Sequence, residues 1–215
     1  MEQYHKPFNL WRTQEVEEVF DVNYLKQGEE LTNWLTFDCQ IPERQAEQVE
    51  VLRESLEERV EFWNEGALKF HFLGPLLTLV NYRVGDFYSF PEQSISLELE
   101  DGHTISGILD LMVAKGKQIP KAPFFTLHEY KPQLGNTKDP LGQLLVSMVA
   151  AQRQNEVENI STPIFGCYVI GRLWFFVYFE NYTYQKSKAF DATDTDDLKQ
   201  IVCALHYVRK KLEEL

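Results

Sequence analysis

The sequence lacks any apolar run long enough to cross a bilayer, and its amino terminus, MEQYHKPFNLWRTQEVEE, has no apolar core of the kind found in signal peptides. It also lacks cysteines at metal-ligand or redox-motif spacing, because its three cysteines, Cys39, Cys167 and Cys203, are far apart. Isolated cysteines of this kind are typical of the core of a protein in a reducing compartment. We therefore expect a cytoplasmic protein with no membrane-spanning segment, no disulfide frame and no zinc site.

Positive charge is also scarce. The chain has 21 Lys and Arg residues against 33 Asp and Glu residues, which gives a formal net charge of −12. Phosphate binding draws on Lys and Arg, so this balance argues against avid, non-specific binding of DNA over a broad surface. A local basic groove stays compatible with it, and carboxylates that hold a divalent cation would themselves raise the acid count.

Several common site motifs are missing. There is no phosphate-cradling GxxxxGK[ST], no GxGxxG after a strand and no GxSxG elbow, so nothing indicates a nucleotide-driven motor or a serine hydrolase. There is also no repeat, low-complexity tract or Gly/Ser linker. With 44% hydrophobic and 13% aromatic residues over 215 positions, the composition is that of a globular domain with a substantial core.

The residue pattern predicts a mixed α/β domain over residues 41–215, preceded by an N-terminal addition over residues 1–40. The addition contains a candidate hairpin. In the main domain a turn at Asp101-Gly102-His103 favours a hairpin within a strand meander, and Asp139 followed by Pro140 is typical of a helix start. The predicted elements are strands at 19–25 and 31–37, helices from 42 and after 64, strands at 95–100, 104–114 and 124–131, a helix from 140, strands at 164–170 and 173–179, and a helix from about 194.

The stretch FFTLHEYKPQ carries an acid and a base at the end of an apolar strand. Side chains alternate along a strand, so Glu129 and Lys131 are expected to share one face and to emerge together at the strand's end. Phe125 and Leu127, earlier on the same predicted face, can pack beneath a helix. Asp110 lies in the preceding strand, in the apolar sequence GILDLMVA, where a carboxylate is costly unless it is paired or binds a metal. Neighbouring strands would bring these three charged groups together.

Such a cluster has a clear chemical use. Asp110 and Glu129, with the backbone carbonyl of Tyr130 between Glu129 and Lys131, offer hard oxygen ligands that suit Mg²⁺ or Mn²⁺. A metal so held can lower the pKa of a bound water and stabilise charge on a phosphoryl oxygen. Lys131 can orient that water or neutralise the transition state. The sequence therefore predicts a metal-dependent hydrolytic site.

The sequence has Asp110, then a gap of eighteen residues, then Glu129-Tyr130-Lys131 at a strand end. This pattern resembles that of the PD-(D/E)XK nuclease superfamily. The shared core of that superfamily runs helix, three-strand meander, helix, strand, and residues from about 42 to 180 follow that order. The resemblance implies a restriction-endonuclease-like α/β core, here with the N-terminal addition and a C-terminal helix. It also implies hydrolysis of phosphodiester bonds with Mg²⁺ or Mn²⁺ as cofactor. DNA is the expected substrate, with RNA as the second choice.

Two further residues follow from the resemblance. NEGALKFHFLGPLLTLV resembles the helix that supplies a glutamate in restriction-enzyme-like members, which makes Glu65 a further ligand or base. Gln143 stands where RecB-like members carry a glutamine that orients the site. Ser147 replaces a tyrosine often found in those members, and Leu109 replaces the proline of the name motif, so the RecB-like fit is loose.

Other interpretations of the same residues stay open. Glu129 and Lys131 can form an ordinary cross-strand pair, and Glu65 and Gln143 can belong to plain polar helix faces, with Glu61 as a second candidate for the helix glutamate. The rival functional hypothesis is a non-catalytic binding or assembly module whose acidic surface serves a protein partner. A homodimer is compatible with both hypotheses, although no segment predicts its interface.

Overall fold

In the computed structural model, which describes residues 5–99, 102–135 and 139–215, nine strands form one mixed sheet. Helices cover both of its faces, so the predicted mixed α/β fold is confirmed. The strands are β1 His5–Pro7, β2 Asn23–Tyr24, β3 Phe87–Glu98, β4 Thr104–Lys115, β5 Lys121–Lys131, β6 Ile164–Ile170, β7 Leu173–Glu180, β8 Thr183–Lys186 and β9 Phe190–Asp191.

Seven α-helices are described, and one π-helical turn, Lys69–Leu73, joins two of them into a continuous run from 65 to 80. Asp139 begins the sixth helix as predicted, since its side chain accepts a hydrogen bond from the Gly142 N–H at 2.9 Å and Pro140 follows. The helices are α1 Thr13–Phe20, α2 Glu29–Leu35, α3 Glu43–Arg59, α4 Glu65–Leu68, α5 Gly74–Val80, α6 Pro140–Val157 and α7 Thr195–Glu213.

The sheet order places β5 near the middle. Along the sheet the strands run β1-β4-β5-β6-β7-β8-β2, with β3 also paired to β4 and β9 to β7. The meander β3–β4–β5 is antiparallel, while β5 and β6 are parallel because α6 carries the chain back across the sheet between them. Residues 126–128 of β5 are therefore paired on both sides, by β4 and by β6, and the ladder with β6 continues through residues 129–131.

The core has two layers, one on each face of the sheet. Met112 and Val113 are neighbours on β4 and belong to different layers, as the alternation of strand side chains requires. One layer packs beneath α1 and α6, with Leu145 and Val149 fully buried. The other packs beneath α2, α3, α5 and α7. Polar groups at the end of β5 are thus surrounded by packed, rigid elements.

The predicted N-terminal hairpin is wrong. Residues 13–20 and 29–35 form helices, because Val16 and Phe20 are buried four residues apart and Leu31 and Trp34 three apart, which is helical and not strand spacing. Between the helices only the short strand β2 forms, and it pairs in parallel with β8. The strand β1 pairs with β4, so residues 5–40 extend the central sheet.

The predicted meander forms, although β3 begins at Phe87 and not at the predicted Ile95. The hairpin turn included Asp101, which lies outside the described residues, although β3 and β4 pair antiparallel around it. The expectation that Phe125 shares a face with Leu127 is wrong. The pairing of β4 with β5 shifts register between Val113 and Ala114, so Phe125 is an extra residue in a bulge and packs into the opposite core layer.

The expectation of three unpaired cysteines is also wrong. Cys39, between α2 and α3, forms a disulfide with Cys203 of α7, at a Cα–Cα distance of 5.2 Å. Cys167 on β6 is free and buried, as a core residue should be. The pair is 164 residues apart, so nothing in the spacing of the cysteines predicts it. Separately, none of the helices in the described ranges is long and apolar enough to span a membrane.

Reduction of the Cys39–Cys203 disulfide is expected to lower the free energy of unfolding by about 2–4 kcal/mol, because it frees a loop of 164 residues in the unfolded chain. Urea unfolding with and without dithiothreitol measures this. Cys39→Ser is the control: it should unfold like the reduced protein and ignore the reductant. Equal midpoints for oxidised and reduced wild type would contradict the prediction.

Candidate active site

The charged residues predicted from the sequence meet at the open end of the β4–β5 pair. The ladder between these strands reaches Leu111 opposite His128, and Asp110 and Glu129 follow directly beyond it. The backbone N–H of Tyr130 donates a hydrogen bond to Asp110 Oδ2 at 2.6 Å, which fixes the carboxylate against β5. The predicted convergence of the two strands on one point is therefore present.

Glu129 is the most unusual group in the cluster. Only 1% of the residue is exposed, and its Oε1 accepts a charge-assisted hydrogen bond from Lys131 Nζ. Its Oε2 is buried and has no hydrogen-bond partner among the described residues. Leaving a carboxylate oxygen buried and unpaired is energetically costly. This oxygen points to a cationic ligand that completes the site.

Lys69 is the site residue that the sequence analysis missed. It lies on the π-helical turn, and its Nζ contacts Asp110 Oδ1, Glu65 Oε1 at 2.8 Å and, at 3.7 Å, Glu92 Oε1 on β3. Through Lys69, the helix glutamate Glu65 is linked to the strand carboxylate Asp110, and its role as a ligand or base stays a prediction. The available signal was the i, i+4 spacing of Glu65 and Lys69, which puts both side chains on one helix face.

Burial and mutual repulsion shift the ionisation of the carboxylates. Burial raises the pKa of Glu129 to about 7, and the negative charge of Asp110 adds to that effect, while Lys131 opposes it. Burial also raises the pKa of Asp110, against the lowering effect of Lys69 and of the Tyr130 N–H. For Lys69, burial lowers the pKa, but hydrogen bonds to Asp110 and Glu65 outweigh burial and leave it raised. Two coupled carboxylates with raised pKa values are typical of functional sites.

The charge balance and donor set fit a divalent cation. Among the described residues, the four carboxylates of Glu65, Glu92, Asp110 and Glu129 outnumber the two ammonium groups that contact them, those of Lys69 and Lys131. The donors are all hard oxygens, the type that Mg²⁺ and Mn²⁺ prefer. Within the described ranges no three His, Cys, Asp or Glu side chains are already arranged as metal ligands. The two lysines lie between the acids and balance part of their charge.

Two other candidates, Gln143 and Glu61, make no side-chain hydrogen bond or ion pair with the cluster in the described part of the chain. Gln143 is half-buried on the first turn of α6, and its side chain makes no hydrogen bond with any other residue that the structure describes; its orienting role stays a prediction. Glu61 is exposed and has no ion pair within the described chain, so Glu65 is the helix glutamate that contacts the cluster.

A buried pair supports β5 from the opposite face. His128 Nδ1 and Tyr130 Oη are 2.7 Å apart, and both residues are almost fully buried. Burial lowers the pKa of His128 to about 3, so the imidazole is neutral at physiological pH. This hydrogen bond helps hold the backbone of residues 128–131, which carries Glu129 and Lys131.

A cavity of about 520 Å³ opens beside Asp110, and Glu129 is not among its lining residues. Asp110 and Lys69 lie on its polar side, and the side chains of Phe70, Pro91 and Leu111 form much of the apolar wall. A cavity that joins a few convergent polar groups to an apolar wall is the common form of a ligand site.

Comparison with known proteins gives little beyond this geometry. No family model matches the chain, and no curated protein matches it. Among solved structures, a chain from a cryo-electron microscopy structure of a DrdV–DNA complex aligns with 79% of this chain at a TM-score of 0.39 and 12% identity. The aligned part is 14% of that larger chain. The functional proposal below therefore depends on this chain's own residues.

Proposed function

We propose that the chain is a Mg²⁺- or Mn²⁺-dependent nuclease that hydrolyses phosphodiester bonds in DNA, built on a restriction-endonuclease-like core. The observation that carries the proposal is the buried Glu129 carboxylate, one oxygen of which has no hydrogen-bond partner among the described residues, beside Asp110 in a cluster where carboxylates outnumber ammonium groups. The cluster borders a cavity of about 520 Å³ that can admit a substrate.

Asp110 and Glu129 would hold the metal, with Glu65 and the backbone carbonyl of Tyr130 as further oxygen ligands. When bound, the metal would supply a water of lowered pKa and a Lewis acid for the phosphoryl oxygen. The Tyr130 N–H, which donates to Asp110 Oδ2, keeps the second oxygen of that carboxylate directed at the cluster. Oδ2 of Asp110 is thus bound to the backbone of the sheet, while Oδ1 faces the charged cluster.

The two lysines have separate roles in this proposal. Lys131, whose Nζ contacts Glu129, orients the attacking water and offsets the negative charge that develops on the phosphoryl group. Lys69 holds Asp110 and Glu65 at the mouth of the cavity. Gln143 orients the site from the first turn of α6.

The alternative is a non-catalytic binding or assembly module. The observation in its favour is that Glu65, Asp110 and Glu129 each have a lysine partner, so the chain itself supplies counter-charges to these acids. Against it, buried ion pairs usually stabilise a fold no more than apolar residues of the same size would. A cluster that raises the pKa of its own carboxylates is better explained by a ligand than by stability.

Incubation of the protein with single-stranded and duplex DNA and RNA, in Mg²⁺ or Mn²⁺, tests the proposal. We expect cleavage that depends on the metal and that Asp110→Asn lowers by about 100-fold or more, since the amide is a poor ligand. Asp38→Asn is the control, because Asp38 is a surface residue 3.7 Å from Lys199 and far from the cluster in the fold. Cleavage that survives Asp110→Asn would show that the site is assigned wrongly.

A further inference from the structure

We propose that the cavity beside the carboxylates binds an unpaired nucleobase stacked on Phe70, so that the substrate is single-stranded nucleic acid. This inference rests on the proposed nuclease function, because it places the base next to the phosphate that Asp110 and Glu129 would address.

The cavity has the size and lining of a nucleobase site. Its volume of about 520 Å³ lies in the range of small-molecule sites. Leu73, Leu77, Pro91 and Leu111 form an apolar floor, which favours a flat ring over a charged group. Asp110 and Lys69 lie at one side, so a base in the cavity would be attached to a sugar and phosphate near the carboxylate cluster.

Phe70 has an open aromatic face. It is 75% exposed, although a ring of that size normally packs against other apolar groups. Its described ring contact is with His71, at an interplanar angle of 88° and 5.0 Å between centroids, and most of the ring surface stays accessible. Such a ring at the wall of a cavity can stack on a base of any sequence.

The π-helical turn explains why Phe70 lies there. Lys69 and Phe70 are consecutive, yet Lys69 reaches Asp110 while Phe70 lines the cavity with its ring exposed. π-helical turns are rare and occur frequently at functional sites. The Phe70 ring is therefore carried by the residue next to Lys69, which contacts the charged cluster.

Charge favours a single strand over a duplex. Binding of duplex DNA gains most of its affinity from Lys and Arg on phosphates, whereas this chain has a net charge of −12 and the site lysines are already paired with acids. Stacking of an unpaired base on an aromatic ring contributes about 1–3 kcal/mol that does not come from phosphate charge. In a duplex, moreover, the bases are stacked on one another and reach a cavity only after unstacking.

Fluorescence anisotropy of a labelled oligo(dT) and of a blunt duplex of the same length, in Ca²⁺ at low salt, tests the inference. We expect the single strand to bind about tenfold more tightly than the duplex, and Phe70→Ala to weaken single-strand binding about tenfold. Phe62→Ala is the matched control and should leave binding unchanged. Phe62 is also aromatic and is 82% exposed, but it does not line the cavity.

Thermal stabilisation by Mn²⁺, measured on the same variants, separates this inference from the nuclease proposal. Phe70→Ala should keep the full stabilisation, since Phe70 offers no ligand to a metal. If Mn²⁺ stabilises the protein but Phe70→Ala binds oligo(dT) like the wild type, the base site is wrong and the nuclease proposal stands. Tighter binding of the duplex than of oligo(dT), or binding of neither, would also overturn the inference.

Discussion

Replacing Lys131 with methionine is expected to lower the rate of metal-dependent cleavage by about 100- to 1,000-fold while leaving Mn²⁺ affinity within a few fold of the wild type. Lys131 contributes an ammonium group beside Glu129 but no oxygen ligand. Methionine keeps the length of the side chain and removes the charge. The loss should therefore fall on the chemical step and not on assembly of the metal site.

Single-turnover cleavage rates and Mn²⁺ calorimetry, measured on the same preparation, separate the two effects. Lys211→Met is the control. Lys211 pairs with Glu214 at 2.8 Å near the end of α7 and makes no ion pair with the cluster among the described residues. An unchanged cleavage rate in Lys131→Met would remove Lys131 from the mechanism. A parallel collapse of Mn²⁺ affinity would reassign Lys131 to the support of the metal ligands.

Glu129→Gln is expected to stabilise the metal-free protein and to abolish Mn²⁺ binding. The pKa of Glu129 is raised from 4.5 to about 7 by burial. Between these values the folded chain keeps a proton that the unfolded chain has lost, so the stability of wild type falls as pH rises through this window and levels off above pH 7. Glutamine cannot ionise, so the stability of Glu129→Gln does not decrease in this pH range for this reason.

The difference in free energy of unfolding between Glu129→Gln and wild type should be absent near pH 4 and reach about 3 kcal/mol at pH 8, because each unit of pKa shift corresponds to about 1.4 kcal/mol. Urea unfolding of wild type and Glu129→Gln across this pH range, in EDTA, measures it. Glu213→Gln, a change at an exposed pair with Arg209, should show no such pH-dependent gain. A loss of stability in Glu129→Gln at pH 8 would mean that the carboxylate is structural.

Part of the site follows from local sequence pattern. Asp110 within an apolar strand, and Glu129 and Lys131 at the end of the next, were predictable because alternation and strand adjacency depend on a few residues. The N-cap at Asp139 and the helical run of α6 were predictable for the same reason. The cluster at the β4–β5 end is therefore largely encoded by short stretches of chain.

Other features depend on contacts that no local pattern contains. The Phe125 bulge arises from the pairing of two strands, and the Cys39–Cys203 disulfide from the packing of α7 against the chain before α3. The prediction of a strand at 31–37 is wrong because α2 contributes only two buried apolar residues, Leu31 and Trp34, to its helix face, which is too few to show the helical period. Lys69 was missed because its partner Asp110 lies in another element.

The most direct test of the metal site is calorimetric titration of Mn²⁺ into wild type and Glu129→Gln at pH 8, where the wild-type carboxylate is ionised. We predict saturable binding to the wild type and none to Glu129→Gln, with Glu129→Gln at least as stable as the wild type in EDTA. Equal binding to both proteins, or binding to neither, would contradict the assignment of Glu129 as a metal ligand.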